Sequence, residues 1–220
     1  MSGRGGVDQE RRWDGVVPPE CGSHPSILSL SPNLTWVEAK EPLHKDMDVE
    51  STIGPGMSFA NLVRVKKPDL GLLGLVPCAL GNTNISEWAR GTFLYNRMVT
   101  RAKAAVQGGG TIRAILWYQG ESDTVTLGNA FNYKQRLEKF IQDVRSDLGL
   151  PSLPFIQVAI ATAPGPYKNI VRKAQFGVNL PNVKIVDAQG LPIMWDNIHV
   201  STEGQVKLGH MLADSYLCNF

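Results

Sequence analysis

A chain of 220 residues has room for one sizeable hydrophobic core, and 43% hydrophobic with 19% charged residues is an ordinary globular composition. Its 22 basic and 20 acidic residues give a net charge of +2 without a long basic run, so no nucleic-acid partner is expected. No run of 18 apolar residues and no apolar signal core occur, so we expect no signal peptide, transmembrane segment or membrane partner, and the compartment stays open. Three cysteines without CxxC spacing predict buried thiols rather than a disulfide framework or a metal site.

The pattern of apolar residues predicts alternating strands and helices after an irregular, proline-interrupted segment over residues 1–55. The predicted strands cover residues 70–76, 112–118, 154–161 and 183–187. The predicted helices cover approximately residues 57–65, 93–107, 130–148, 169–179 and 203–217. Because no tight hairpin signal separates successive strands, the chain is predicted to be one α/β domain, a three-layer parallel sheet with helices on both faces.

Asp196 and His199 stand between the last predicted strand and the last predicted helix. A carboxylate three residues before an imidazole can accept its Nδ1–H, fix the tautomer and leave Nε2 to take a proton. The same residue types also fit a structural role at a helix N-terminus. Thr202 and Gln205 match a capping box, which would fill the cap without His199. The pair therefore predicts two members of a hydrolase triad.

Ligands of parallel sheets bind beyond the carboxyl ends of the strands, so the loops after residues 76, 118 and 187 are expected to converge. These loops carry Gly81, Gln119 and the Asp–His pair. A backbone N–H at Gly81 and the carboxamide of Gln119 can donate to a developing oxyanion, which together with a base predicts acyl transfer. Taken singly, Gly81 also fits a turn glycine and Gln119 a loop amide. Glu121 and Asp123 also fit a solvated acidic pair or charges that favour a helix dipole. Taken together, at the ends of successive predicted strands, these residues favour the functional interpretation.

Four stretches carry a resemblance to a known family. They are Gly54-Pro55-Gly56-Met57-Ser58-Phe59-Ala60, Leu75-Val76-Pro77-Cys78-Ala79, Ile115-Leu116-Trp117-Tyr118-Gln119-Gly120-Glu121-Ser122-Asp123 and Asp196-Asn197-Ile198-His199. Together they resemble the plant branch of the sialate O-acetylesterase-like SGNH hydrolases, grouped with carbohydrate esterase family 6. The resemblance runs over essentially all 220 residues.

The resemblance implies a flavodoxin-like fold that hydrolyses acetyl esters of small-molecule or polysaccharide substrates, without a metal or an organic cofactor. It implies Asp196 as the orienting acid and His199 as the general base. Gln119 corresponds to an oxyanion-hole position, and Gly81 to a backbone donor. Where the family usually has two consecutive glycines this chain has Gly81-Asn82, and Asn tolerates left-handed dihedrals better than most residues. The oligomeric state is left open.

The nucleophilic serine of the family stands in a Gly-Gln-Ser-Asn-Met motif that ends the first strand. This chain opens at the last residue of that motif, with Met1-Ser2-Gly3-Arg4-Gly5-Gly6. The resemblance thus implies an N-terminally truncated domain without the first strand and the catalytic serine. Ser2 follows the motif and is not expected to be the nucleophile, whereas Ser122 is the best substitute on position alone. Because losing a triad nucleophile can cost about a millionfold in turnover, the polypeptide is expected to be nearly inactive.

Two other classes of function compete with a hydrolase. A carbohydrate-binding pseudoenzyme would keep the crevice without the chemistry, with aromatic side chains stacked on sugar rings. The candidates are Trp88, Trp117, Tyr118 and Trp195, although aromatic residues in such motifs are more often core. A flavin or nucleotide binder would share the fold, but the sequence lacks a glycine-rich phosphate loop that joins a strand to a helix.

Overall fold

Strands and helices alternate along the chain, as the sequence pattern predicts. A computed structural model describes residues 2–220 and contains six strands and five α-helices within them. The residues form two compact units, one made of the chain up to Gly81 together with Gly190–Phe220, the other of Asn82–Gln189. Each unit holds a three-stranded sheet with parallel pairing. The predicted α/β class is therefore confirmed.

The sheet of the first unit contains two strands from the segment predicted to be irregular. Strands β1 (Ile27–Leu30) and β2 (Trp36–Glu38) pair antiparallel, and β3 (Leu73–Leu75) pairs parallel with β1 on its other side. The hairpin turn is closed by a 2.9 Å bond from the Ser31 amide to the Thr35 carbonyl. The prediction for residues 1–55 was wrong because strands of four and three residues are too short to show an alternating pattern.

The predicted strand over residues 70–76 is shorter and less buried than expected. Pro68–Leu70 forms a 3₁₀ turn, and Gly71 has a φ of +70° that suits glycine, so β3 begins only at Leu73. Gly74 in its centre is exposed. The apolar run therefore combines a turn with a short strand.

Helices α1 (Gly56–Lys66) and α5 (Thr202–Asn219) pack against each other in the first unit. A side chain at Gly209 would put its Cβ 1.9 Å from the Ser58 Oγ, so the contact requires glycine there. Cys21 lies buried in the adjoining apolar cluster, whereas Cys218 is exposed in the last turn of α5. The prediction of three buried thiols was thus correct for Cys21 alone: Cys78 is only partly buried, and Cys218 is exposed because the buried positions of α5 end at Ala213.

The sheet of the second unit is parallel throughout. It consists of β4 (Ile115–Trp117), β5 (Phe155–Ala159) and β6 (Val183–Asp187), with β5 in the middle and buried along its whole length. The last strand has the predicted bounds. Each of the other two is shorter than predicted, because only part of its predicted range pairs with a neighbouring strand.

Three helices accompany this sheet: α2 (Phe93–Ala105), α3 (Leu127–Leu148) and α4 (Lys168–Phe176). Helix α3 starts three residues before its predicted start, because the side chain of Thr126 caps it by accepting the Asn129 amide at 3.3 Å. Its buried side chains recur at helical spacing and include Phe140, whose ring centroid lies 4.5 Å from that of Trp117. None of the helices formed by residues 2–220 has the length and apolar character needed to cross a membrane.

Candidate active site

A closed loop before α5 holds the predicted acid and base. Residues Ile193 and Val200 form an isolated antiparallel bridge, and the Met194 amide donates to the His199 carbonyl at 2.7 Å. Inside the loop Asn197 has a φ of +58°, a left-handed conformation that Asn adopts more readily than most residues. These bonds fix the backbone between the two predicted catalytic residues.

The side chains of Asp196 and His199 are bonded to each other. The ring Nδ1–H donates to the Asp196 Oδ2 at 2.5 Å, while Oδ1 accepts the backbone amides of Ile198 and His199, both at 2.9 Å. Burial would raise the pKa of Asp196, but the bonds from the ring and from these two amides outweigh it and hold the pKa below its usual value. The carboxyl is thus ionised at neutral pH and oriented by the loop.

The remaining ring nitrogen of His199 is available. Its side chain is 42% exposed, and Nε2 makes no hydrogen bond to any residue that the structure describes. Helix α5 is capped by Ser201, whose hydroxyl accepts the Gly204 amide at 3.2 Å. The prediction of Thr202 as the cap was wrong by one residue. The expectation that the helix is capped without the His199 imidazole is confirmed.

The amide of Gly81 is bonded to a carboxylate that the sequence did not point to. The Asp48 Oδ2 accepts this amide at 3.0 Å and the Ser2 hydroxyl at 2.5 Å, and the Arg4 guanidinium lies 3.5 Å from Oδ1. Burial opposes ionisation of Asp48, but the Ser2 bond, the Arg4 charge and the amides together keep its pKa low. Next in the chain, Asn82 has a φ of +59°, so the expectation that Asn accommodates the glycine-like turn is confirmed.

Gln119 lies two residues after Trp117, the last residue of β4, and is only 8% exposed. Both hydrogens of its Nε2 are donated, to the Thr83 carbonyl at 3.0 Å and to the Asp123 Oδ2 at 2.6 Å. Its Oε1 accepts the Tyr133 hydroxyl at 3.1 Å. The carboxamide is therefore held in one orientation by three partners within the second unit.

Asp123 is a buried carboxyl and not a solvated acid. Its exposure is 0%, and its Oδ2 also accepts the Ile85 amide at 2.9 Å at the start of a 3₁₀ turn. Burial raises its pKa, although the bonds from Gln119 and Ile85 act in the opposite direction. The interpretation of this residue as part of a solvated acidic pair was wrong. The local sequence around Asp123 cannot show that other parts of the chain cover its side chain.

The structure thus joins Asp196 to His199 and pairs Gly81 and Gln119 each with a carboxylate. Gly81 belongs to the same unit as the acid and base, and Gln119 to the other unit; the convergence of the loops stays a prediction. Ser122 lies in a 3₁₀ turn after β4. Sequence reasoning missed Asp48 as a partner, since it sits in a stretch without periodicity. Residues 2–220 contain no group of three or more acidic, His or Cys side chains placed to hold a metal ion.

Comparisons with known proteins agree with this picture. Residues 1–218 match the model of the SASA family, described as carbohydrate esterase, sialic acid-specific acetylesterase. A probable carbohydrate esterase of Arabidopsis thaliana, At4g34215, is 50% identical over 228 residues, which span 100% of this chain and 87% of that protein. The X-ray structure of the Arabidopsis protein superposes with a TM-score of 0.96 at 51% identity, covering 100% of this chain and 94% of the other.

A more distant structure shows how widely the fold is shared. A carbohydrate acetylesterase from Xanthomonas citri superposes with a TM-score of 0.65 at 19% identity, covering 88% of this chain and 49% of the other. That likeness concerns the fold. The family match and the Arabidopsis relative confirm the resemblance drawn from the four motifs: the chain belongs to the SASA family of carbohydrate esterases.

Proposed function

We propose that this protein is a carbohydrate O-acetylesterase that hydrolyses acetyl esters through a Ser-His-Asp triad, without a cofactor. The observation that carries the proposal is the 2.5 Å bond between His199 and Asp196, with the second ring nitrogen unbonded on a partly exposed side chain. Membership of a carbohydrate esterase family supplies the substrate class, a small-molecule or polysaccharide acetyl ester. We further propose that the two units act together as one esterase domain.

In the proposed mechanism, His199 acts as the base and then as the acid. Its Nε2 takes the proton of the serine hydroxyl as that oxygen attacks the acetyl carbonyl. Asp196 stays ionised, keeps the ring in the tautomer with hydrogen on Nδ1 and stabilises the imidazolium. The imidazolium returns its proton to the departing sugar oxygen, and water then cleaves the acetyl-enzyme by the same route.

The negative oxygen of the tetrahedral intermediate needs hydrogen-bond donors, and we propose the Gly81 amide and the Gln119 carboxamide. Both are already bonded, to Asp48 and Asp123 respectively. The oxyanion would therefore share the donated hydrogen with the carboxylate, or replace the carboxylate as its acceptor. Because each donor starts bonded to a carboxylate, its hydrogen bond would have to shift towards the oxyanion as negative charge develops there.

We propose that the nucleophile is not among the 220 residues, because they contain no Gly-Gln-Ser-Asn motif. The Ser2 hydroxyl is buried and donates to Asp48 rather than to an imidazole. We therefore propose that the polypeptide Met1–Phe220 by itself retains only slow hydrolysis, about a millionfold below a complete triad.

Hydrolysis of 4-nitrophenyl acetate tests the proposal. The assay compares the 220-residue polypeptide with one that carries a strand ending in Gly-Gln-Ser-Asn ahead of Met1, and with a matched form whose added serine is alanine. We expect fast turnover only with the serine, and its loss on the additional substitution His199→Ala. Equal rates for the serine and alanine forms would refute the assigned nucleophile.

A carbohydrate-binding protein without turnover is the second candidate, because Trp195 offers an exposed aromatic ring. If O-acetylated sugars bind while neither the serine form nor the 220-residue polypeptide releases acetate, the binding function replaces the esterase.

A further inference from the structure

The four aromatic residues that the sequence suggested for sugar stacking differ in how far their side chains are buried. Trp88, Trp117 and Tyr118 are buried, and the Trp88 and Trp117 rings pack edge to face with their centroids 5.4 Å apart. Trp195 is 51% exposed. It is therefore the one of the four that can meet a ligand without unfolding the core.

The exposed ring is held in place from two sides. The indole Nε1–H donates to the Val7 carbonyl at 3.0 Å. The backbone of Trp195 belongs to the loop that the Met194–His199 bond closes, directly before Asp196. A large flat side chain that is fixed in the free protein loses little conformational entropy when a ligand packs on it.

Val7 is itself part of an ordered segment. It pairs with Trp13 in an isolated bridge, and the Asp14 amide donates to the Gly6 carbonyl at 2.9 Å. The segment is tied to the body of the first unit by the bridge between Gly5 and Ile53. The anchor of the indole is thus itself bonded to the rest of the first unit, and the Nε1–Val7 bond favours one orientation of the ring.

We infer that Trp195 is the platform on which a sugar ring of the substrate stacks, an inference that rests on the proposed esterase function. A pyranose presents a face of C–H groups between its equatorial hydroxyls, and such a face packs on an aromatic ring while the hydroxyls stay solvated. Trp195 directly precedes the orienting acid in the chain, so the platform belongs to the same closed loop as the base that activates the serine. Trp195 acts on substrate selection and takes no part in proton transfer.

Titration calorimetry of the 220-residue polypeptide tests the inference without requiring turnover. The probes are O-acetylated xylotetraose and O-acetylated sialic acid. Trp195→Ala removes the ring, and Trp195→Phe keeps a ring but removes the indole N–H. Trp36→Ala is the matched control, because Trp36 is also an exposed tryptophan of the first unit but lies on strand β2.

We expect wild type to bind at least one probe, and Trp195→Ala to weaken that Kd about tenfold, as the loss of one aromatic contact predicts. Trp195→Phe should stay within about threefold, and Trp36→Ala should match wild type. Circular dichroism melts of each variant establish that it is folded. The inference is overturned if wild type binds neither probe, if Trp195→Ala binds as wild type does, or if Trp195→Phe loses as much as Trp195→Ala.

The 4-nitrophenyl acetate assay keeps the two proposals apart, since that ester has no sugar ring. Turnover by the serine form together with sugar binding that is indifferent to Trp195 would refute the platform and leave the esterase. Sugar binding that depends on Trp195, without turnover by the serine form, would refute the esterase and leave the platform.

Discussion

Glu41 makes the stability of the protein depend on pH in the opposite sense to most carboxylates. Its side chain is 8% exposed, and Oε2 accepts the Leu43 amide at 2.7 Å. Its Oε1 is buried and bonds to no residue that the structure describes. Burial raises the pKa of Glu41 from 4.5 to about 7, although the nearby amides of Leu43 and Gly54 oppose the change.

The magnitude follows from linkage between proton binding and folding. Below pH 4.5 the carboxyl is protonated in both states, and its full contribution to stability is present. Between pH 4.5 and about 7 the unfolded chain has released the proton while the folded chain keeps it, so stability falls as pH rises. A difference of about 2.5 pKa units corresponds to about 3 kcal/mol lost by pH 8.

Urea unfolding of wild type and Glu41→Gln at pH 4.5, 6 and 8 measures this effect. The uncharged glutamine cannot ionise, so the free energy of unfolding of the variant should rise relative to wild type by about 3 kcal/mol across the series. The exposed Glu38 provides the control, because Glu38→Gln should track wild type at each pH. A constant difference between Glu41→Gln and wild type would show that Glu41 ionises as easily in the folded protein as in the unfolded chain.

Three further predictions concern single residues. In the serine-carrying polypeptide Asp196→Asn should lower kcat for acetyl esters by about a thousandfold or more, because the ring loses its tautomer and its counter-charge; a loss below tenfold would contradict the dyad. Asn82→Ala should cost about 1 kcal/mol in a thermal melt and Asn82→Gly should not, since φ is +59°; equal melts would contradict a strained turn. Arg145→Ala should cost about 3 kcal/mol in urea unfolding, because the buried guanidinium bonds the Leu153 and Pro181 carbonyls at 2.8 Å each; a cost under 1 kcal/mol would show that water replaces it.

The local sequence pattern was sufficient to predict the strands and α-helices of the second unit. Helix α3 repeats apolar residues at helical spacing over 22 residues, and β6 is a β-branched run bounded by turns, so propensity and burial agree there. Strands β1 and β2 were missed for the opposite reason. They are only four and three residues long, Pro32 stands in the turn between them, and the other partner of β1 is β3, which is distant in the chain.

The same distinction between local and distant contacts applies to the candidate site. Asp196 and His199 are three residues apart, so a sequence pattern can show that they meet. The Asp48 carboxylate meets the Gly81 amide across 33 residues, and Asp123 meets the Ile85 amide across 38. No spacing rule covers such distances, so only the fold shows that the Gly81 amide already has an acceptor and that Asp123 is covered by the Ile85 turn.

The measurement that bears most directly on this account is acetate release from an O-acetylated sugar by the serine-carrying polypeptide and its histidine variants. His210, on helix α5 and partly exposed, is the matched control for His199. We predict that His199→Ala abolishes acetate release while His210→Ala keeps the rate of the unsubstituted polypeptide. Undiminished release by His199→Ala would contradict the assignment of this imidazole, held by Asp196, as the base of the hydrolase.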